Sequence, residues 1–180
     1  MFATGSNLRE MVVVVPGDGN DIYRRHQQVW QAMAPYARRG TDFIFTQEQD
    51  PQFFRIRSDA LPRWAERTVL PSCGRFEIDV VCATGDGYRE AVRDCDLVPW
   101  VTGKLARQGI DASSVACEQR AWRRGTKRAS DADAAERIAV PVARFTGAFS
   151  VHNPVLAQEA FRCGIGRGKR FGFGFLRAGA

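Results

Sequence analysis

Cysteine pairs at metal-ligand spacing are missing from this sequence. Its five cysteines, Cys73, Cys82, Cys95, Cys117 and Cys163, are odd in number and far apart. That spacing excludes a zinc knuckle and a disulfide framework, and it reads as a reduced, cytoplasmic protein. No apolar run approaches the roughly 20 residues that span a bilayer. Met1 to Glu10 lack the basic start and apolar stretch of a secretory signal, so no membrane partner is expected. Histidine is nearly absent as well: His26 and His152 are the only two. No metal site and no cofactor are expected.

The charge is unevenly placed. Residues 118–180 hold 12 Lys/Arg against 5 Asp/Glu, whereas residues 1–117 hold 14 against 15. A basic surface can serve solubility alone. Concentrated in the last third of the chain, it also reads as an electrostatic footprint for phosphates.

The apolar, β-branched run Met11–Val15 reads as a buried strand. Asn20 is placed to cap a helix over about 21–34, whose apolar stripe is Ile22, Val29 and Met33 with Trp30 beside it. Two strands over 43–47 and 53–57 are joined by the turn-prone Gln49-Asp50-Pro51. A poorly periodic stretch around Trp64 reads as a weak helix, and Phe76, Ile78, Val80 and Cys82 alternate as in a half-buried strand. That order is βαββαβ, the ferredoxin-like arrangement. Gly85-Asp86-Gly87 is the candidate boundary, which predicts one domain over 1–85 and a second over 86–180.

The second half offers a helix over about 96–108 with a Leu97/Val101/Leu105 stripe, and Gly109 stands at its end. A strand is expected over 114–122. Arg123 to Arg128 reads as an exposed, mobile basic loop, and 140–151 as a long strand bent near Gly147. Asn153-Pro154 supplies a cap and first-turn proline for a helix ending at Cys163. A final strand is expected over 173–177. The fold class is therefore α+β, with two ferredoxin-like domains in tandem.

The segment from Gly164 to Leu176 is the densest in chemistry. It carries five glycines, the cations Arg167, Lys169 and Arg170, and the alternation Phe171-Gly172-Phe173-Gly174-Phe175. It is not a Walker loop, because Arg170 follows Gly168-Lys169 where Ser or Thr is required. Nor is it a dinucleotide fingerprint, because it follows a helix and leads into a strand. A glycine loop with cations and aromatics points to a polyanion. On the first helix, Tyr23 and His26 stand at i, i+3 and share a face, with Arg24 and Arg25 flanking it. Unperturbed imidazole titrates near pH ~6.5 and can move a proton at neutral pH. His26 also aligns with the apolar stripe, which leaves a half-buried structural histidine as the other reading. His152 reads as local and structural.

Tyr23-Arg24-Arg25-His26-Gln27-Gln28-Val29-Trp30 resembles the Tyr-x-x-His-x-x-(aliphatic)-Trp helix motif of the CasE family, the CRISPR repeat-processing endoribonucleases of Cascade-type systems. The Gly164–Leu176 segment is similar to the same family's closing Gly-Ile-Gly-Arg-x-Lys-x-Phe-Gly-x-Gly-Leu motif, with Phe175 in place of the leucine. Leu97–Gly109 resembles its central Trp-containing helix.

The resemblance implies metal-independent cleavage of CRISPR repeat RNA by 2′-hydroxyl attack. His26 would act as general acid or base, and Tyr23 would position or share proton transfer. It also implies an RNA hairpin partner and other Cascade-type effector subunits. The RNA contacts would come from Arg24 and Arg25, from the basic segment Arg123, Arg124, Lys127 and Arg128, and from Gly164, Gly166, Arg167, Gly168, Lys169 and Arg170. Two other readings stay open. One is a non-catalytic protein that holds hairpin or guide RNA. The other is an RNA-recognition protein binding single strands through exposed Phe171, Phe173 and Phe175.

Overall fold

The computed structural model describes residues 7–16, 21–36, 42–85, 88, 90–127 and 136–179. The elements run β1 (Arg9–Val14), α1 (Ile22–Met33), β2 (Ile44–Gln47), β3 (Phe53–Ser58), β4 (Glu66–Arg67) and β5 (Cys73–Val81). A short β6 (Ala83–Thr84) and β7 (Glu90–Ala91) follow, then α2 (Leu97–Ala106), β8 (Ile110–Lys127), β9 (Glu136–Val151), α3 (Pro154–Cys163) and β10 (Arg177–Gly179). Two four-stranded sheets result, in the orders β2-β3-β1-β4 and β10-β5-β9-β8, and all their pairings are antiparallel. Each sheet is backed by helix. The fold is α+β with two ferredoxin-like units, as the element order predicts.

Several local expectations are corrected. The stretch around Trp64 forms no helix; its Glu66–Arg67 pairs with Arg9 and Glu10 of β1. The strand expected to close the first unit is β5, but it pairs with β9 and β10 in the second sheet. The chain thus changes sheet between Arg67 and Cys73, ahead of Gly85. Asp86 and Gly87 lie outside the described residues.

Arg123–Lys127 is no loop but the outer end of the 18-residue β8, paired from Arg123↔Val140 to Lys127↔Glu136. Backbone pairing with β9 overrides the loop-like composition. Arg128 lies outside the described residues. The helix cap is Asp21, whose side chain accepts from the backbone N–H of Tyr23 and Arg24; Asn20 is also outside the described residues.

Three cores hold these layers together. In the first sheet, α1 packs Val29 and Met33 on Met11, Phe45, Phe54 and Ile56. In the second, Leu97, Val101 and Leu105 of α2 and Phe161 of α3 bury against Ile78, Val80 and Phe145. A third core joins Ile22 of α1 to Val81, Val140 and Val142 of the second sheet and to Phe171 and Phe173. Gly125 lets this junction close: a Cβ there would lie 2.7 Å from Ile22 Cγ1.

Buried Arg57 pins the sheets together. It pairs with Glu10 at 2.6 Å and donates to the carbonyls of Phe161 (2.6 Å) and Leu176 (3.0 Å). Its guanidinium lies between the rings of Phe161 and Phe175, 3.4 and 4.1 Å from their centroids. Burial pushes its pKa down to about 10 against the support of Glu10, so it stays charged at neutral pH.

Beside Arg57 a chain of ion pairs crosses from sheet to sheet. Arg55 bridges Glu10 and Glu48, Arg177 bridges Glu48 and Glu77, and Arg144 grips Asp79 through two hydrogen bonds.

Candidate nucleic-acid interface and proton-transfer site

The phenylalanine alternation at 171–175 does not form a strand. Lys169–Phe171 is a 3-10 turn, and Gly172 and Gly174 have φ of +89° and +80°. Phe171, Phe173 and Phe175 are all buried, so they offer no exposed stacking face to a single strand. Phe171 and Phe173 enter the third core, while Phe175 covers Arg57. The glycines let the backbone turn sharply between these anchors. At Gly174 a Cβ would meet the Ile165 carbonyl oxygen at 2.2 Å, so no side chain fits.

This glycine-rich turn docks on α1. Phe171 lies 5.2 Å from the Tyr23 ring and 6.2 Å from that of His26, so both residues face the turn, as their i, i+3 spacing predicts. The Arg170 guanidinium sits 5.9 Å from the Tyr23 ring centroid and 4.7 Å from that of Phe171.

His26 is half-buried, and its Nδ1 is buried with no hydrogen-bond partner among the described residues. Burial is the main cause that lowers its pKa below 6.5. The Arg170 backbone acts in the opposite direction, and the Arg170 charge adds to the lowering. The imidazole is therefore neutral at physiological pH and able to accept a proton.

His26 opens onto a cleft of about 360 Å³ shared with Trp30, Phe43, Ser58, Lys169 and Arg170. Trp30 packs on Phe43 at 4.6 Å and edge-on to His26 at 6.3 Å. Arg162 and Asp59 also reach this cleft and pair with each other at 3.4 Å. Asp59 had no sequence signal, because it enters just past the end of β3, far from either motif. Trp30 was visible beside the apolar stripe of the helix and in the helix motif, but not as a wall of this cleft. Among the described residues no cluster of three or more His, Cys, Asp or Glu is placed to hold a metal ion.

A second cleft, about 570 Å³, runs along the other flank of α1 between Asp21, Arg24, Gln27 and Thr126. Arg24 and Arg124 are exposed, and Arg123 is half-buried. Arg25 instead points inward, only 7% exposed, with its guanidinium 5.9 Å from the Phe54 ring centroid; burial lowers its pKa to about 10. Arg167 donates to the carbonyls of Ala83 and Gly85, at 2.8 Å each. Lys169 and Arg170 face His26, while Gly164, Gly166 and Gly168 shape the turn behind them. His152 pairs with Asp111 at 3.1 Å, away from the site. Among the described residues no helix is long and apolar enough to cross a membrane.

A family model described as CRISPR associated protein matches residues 83–178. Among solved structures, the chain is similar to a CRISPR endoribonuclease Cse3 bound to 19-nucleotide RNA, at 20% identity and a TM-score of 0.73, covering 96% of this chain and 98% of that one. It is similar also to Thermus thermophilus Cse3 bound to an RNA representing a pre-cleavage complex, at 17% identity and 0.72, covering 96% and 99%. A chain of a CRISPR RNA-guided surveillance complex matches at 18% identity and 0.64, covering 94% and 97%. Comparison with curated proteins finds no match. Identities this low establish a shared fold, whereas the family model spans more than half of the sequence. The chain belongs to the CRISPR-associated protein family.

Proposed function

We propose that this chain is an endoribonuclease that cuts CRISPR repeat RNA into guide RNA, using the RNA's own 2′-hydroxyl as nucleophile. The observation that carries the reading is the neutral, half-buried His26 in a cleft that Lys169 and Arg170 also line. The family membership and the similarity to RNA-bound endoribonucleases support it.

The chemistry follows from these groups. His26 takes the proton from the 2′-hydroxyl, and the oxygen attacks the adjacent phosphorus. The P–O5′ bond breaks, leaving a 2′,3′-cyclic phosphate and a 5′-oxygen. That oxygen is protonated by the imidazolium or through Tyr23, whose ring shares the Phe171 face with His26. Lys169 and Arg170 stabilise the extra negative charge of the phosphorane. The reaction consists of proton transfers and charge stabilisation, which these side chains can supply without a metal.

The hairpin stem lies along the exposed outer end of β8, where Arg123 and Arg124 meet the flank of α1, because duplex RNA is held mainly through shape and phosphates. The similarity to a surveillance-complex chain supports other effector subunits as partners.

The test is to incubate the protein with repeat RNA in chelator, with and without a 2′-deoxy substitution at the cleavage nucleotide. Cleavage of the ribose substrate alone is expected. A metal requirement, or cleavage of the deoxy substrate, overturns the mechanism. Tight hairpin binding with no cleavage leaves the binding-only reading.

A further inference from the structure

A second group of cations and aromatics lies at the other end of the glycine-rich turn, outside the His26 cleft. On α2, the Lys104 Nζ sits 4.8 Å from the Trp100 ring centroid. Its stem runs close to Gly166, where a Cβ would lie 3.7 Å from Lys104 Cε. The Arg167 guanidinium lies 5.8 Å from the Tyr88 ring centroid while it holds the carbonyls of Ala83 and Gly85. Arg107 is exposed one turn beyond Lys104.

The acidic groups at the head of this helix are already engaged, Asp94 by Arg120 and Asp96 by Arg93. Among the described residues neither Lys104 nor Arg107 has an ion-pair partner. Burial lowers the Lys104 pKa, and the charges of Arg107 and Arg167 push it the same way. Three like charges are thus crowded around half-buried rings, an arrangement that favours an incoming anion. Aromatic rings among cations are the composition that binds unpaired nucleic acid, with bases stacking and phosphates paired.

We propose that Lys104, Arg107 and Arg167, with Trp100 and Tyr88, bind an unpaired RNA strand that leaves the His26 cleft along the glycine-rich turn. Arg170, Lys169 and Arg167 would then form a cationic path between the two sites. This rests on the RNA-processing reading and adds to it a single-strand subsite separate from the stem contacts of β8.

The experiment compares three RNAs, each 2′-deoxy at the cleavage nucleotide: the repeat hairpin alone, and the hairpin with about eight unpaired nucleotides on the 5′ or the 3′ side. The wild-type protein is expected to bind one extended RNA about tenfold more tightly than the hairpin alone. In Lys104→Gln/Arg107→Gln that ratio falls toward one. The salt slope for the extended RNA flattens by about 1.4, from roughly 0.7 per phosphate contact on a single strand. A double variant that keeps the wild-type ratio overturns the subsite. So does a wild-type protein indifferent to both extensions. In either case tight hairpin binding leaves the RNA-processing reading standing, whereas failure to bind the hairpin at all overturns both.

Discussion

Asp21 and Thr126, 105 residues apart, are joined by a hydrogen bond: the Thr126 backbone N–H donates to Asp21 Oδ2 at 2.8 Å. The other carboxylate oxygen accepts from Tyr23 N at 2.8 Å and Arg24 N at 3.0 Å. One carboxylate therefore starts the helix that carries His26 and ties that start to the basic strand β8. Asp21→Ala should cost about 1–2 kcal/mol, through removal of the cap and of the cross-element bond. Asp21→Asn keeps one acceptor for the helix and should cost less. Urea denaturation of the two variants measures the difference, and because both lose the Thr126 bond, equal effects would mean that the helix cap contributes nothing.

His26→Ala should lower cleavage by about 10²–10⁴-fold while hairpin binding persists; unchanged cleavage removes His26 from the mechanism. Because burial lowers its pKa, the working base is the neutral form. In the free enzyme, kcat/KM should therefore rise with pH and level off with an inflection below 6.5. An inflection above that value contradicts the assignment. The same shift affects stability. Between the lowered folded pKa and the unfolded value near ~6.5 the unfolded state binds more protons, so stability falls as pH drops through that window. His26→Gln should remove that part of the acid sensitivity, read from denaturation midpoints at about pH 5 to 7.

Removing Arg57 strips two buried carbonyls and Glu10 of a shared donor. Arg57→Met should destabilise by about 3 kcal/mol or more. Lysine should recover little, because a point charge on one stem cannot replace a planar fork held between two rings. Denaturation of both variants checks this, and a Lys variant near wild type would show that charge alone is enough.

Gly174→Ala should displace the turn, since its Cβ would fall 2.2 Å from the Ile165 oxygen at a φ of +80°. The expected outcome is a lower Tm together with slower cleavage, as Phe171 leaves its seat against Tyr23 and His26. Gly179→Ala has open space around it and serves as the control. A normal Tm with normal cleavage in Gly174→Ala would separate the turn's shape from the site.

Replacing Arg123, Arg124, Lys127 and Arg128 by Gln should weaken hairpin binding and flatten its salt dependence by about 0.9 for each phosphate no longer neutralised. A slope equal to that of the wild type would take the outer end of β8 out of the interface.

Local pattern was enough where a residue's neighbours in sequence are also its neighbours in space. The stripes of α1 and α2, the Asn153-Pro154 start of α3, the strand expected over 53–57 and the Tyr23/His26 face all follow from 2.0 and 3.6 periodicity and capping chemistry. The two terminal motifs were likewise enough to identify the family.

Tertiary contact decided the rest. Arg123–Lys127 has loop composition but becomes strand, because β9 supplies an unbroken backbone ladder. Phe171, Phe173 and Phe175 alternate like a strand, yet two glycines at positive φ send their rings to separate places, two into the third core and one over Arg57. Arg25 and Arg170 are both arginines within the motifs. One is buried under α1 and the other faces the His26 cleft, a difference set by how each element packs against the sheets. The lowered pKa of His26 comes mainly from burial, to which a turn from the far end of the chain contributes by packing Phe171 against it, and the Arg170 charge adds to the lowering. Residue identity was written in the chain; burial and charge at a distance had to await the fold.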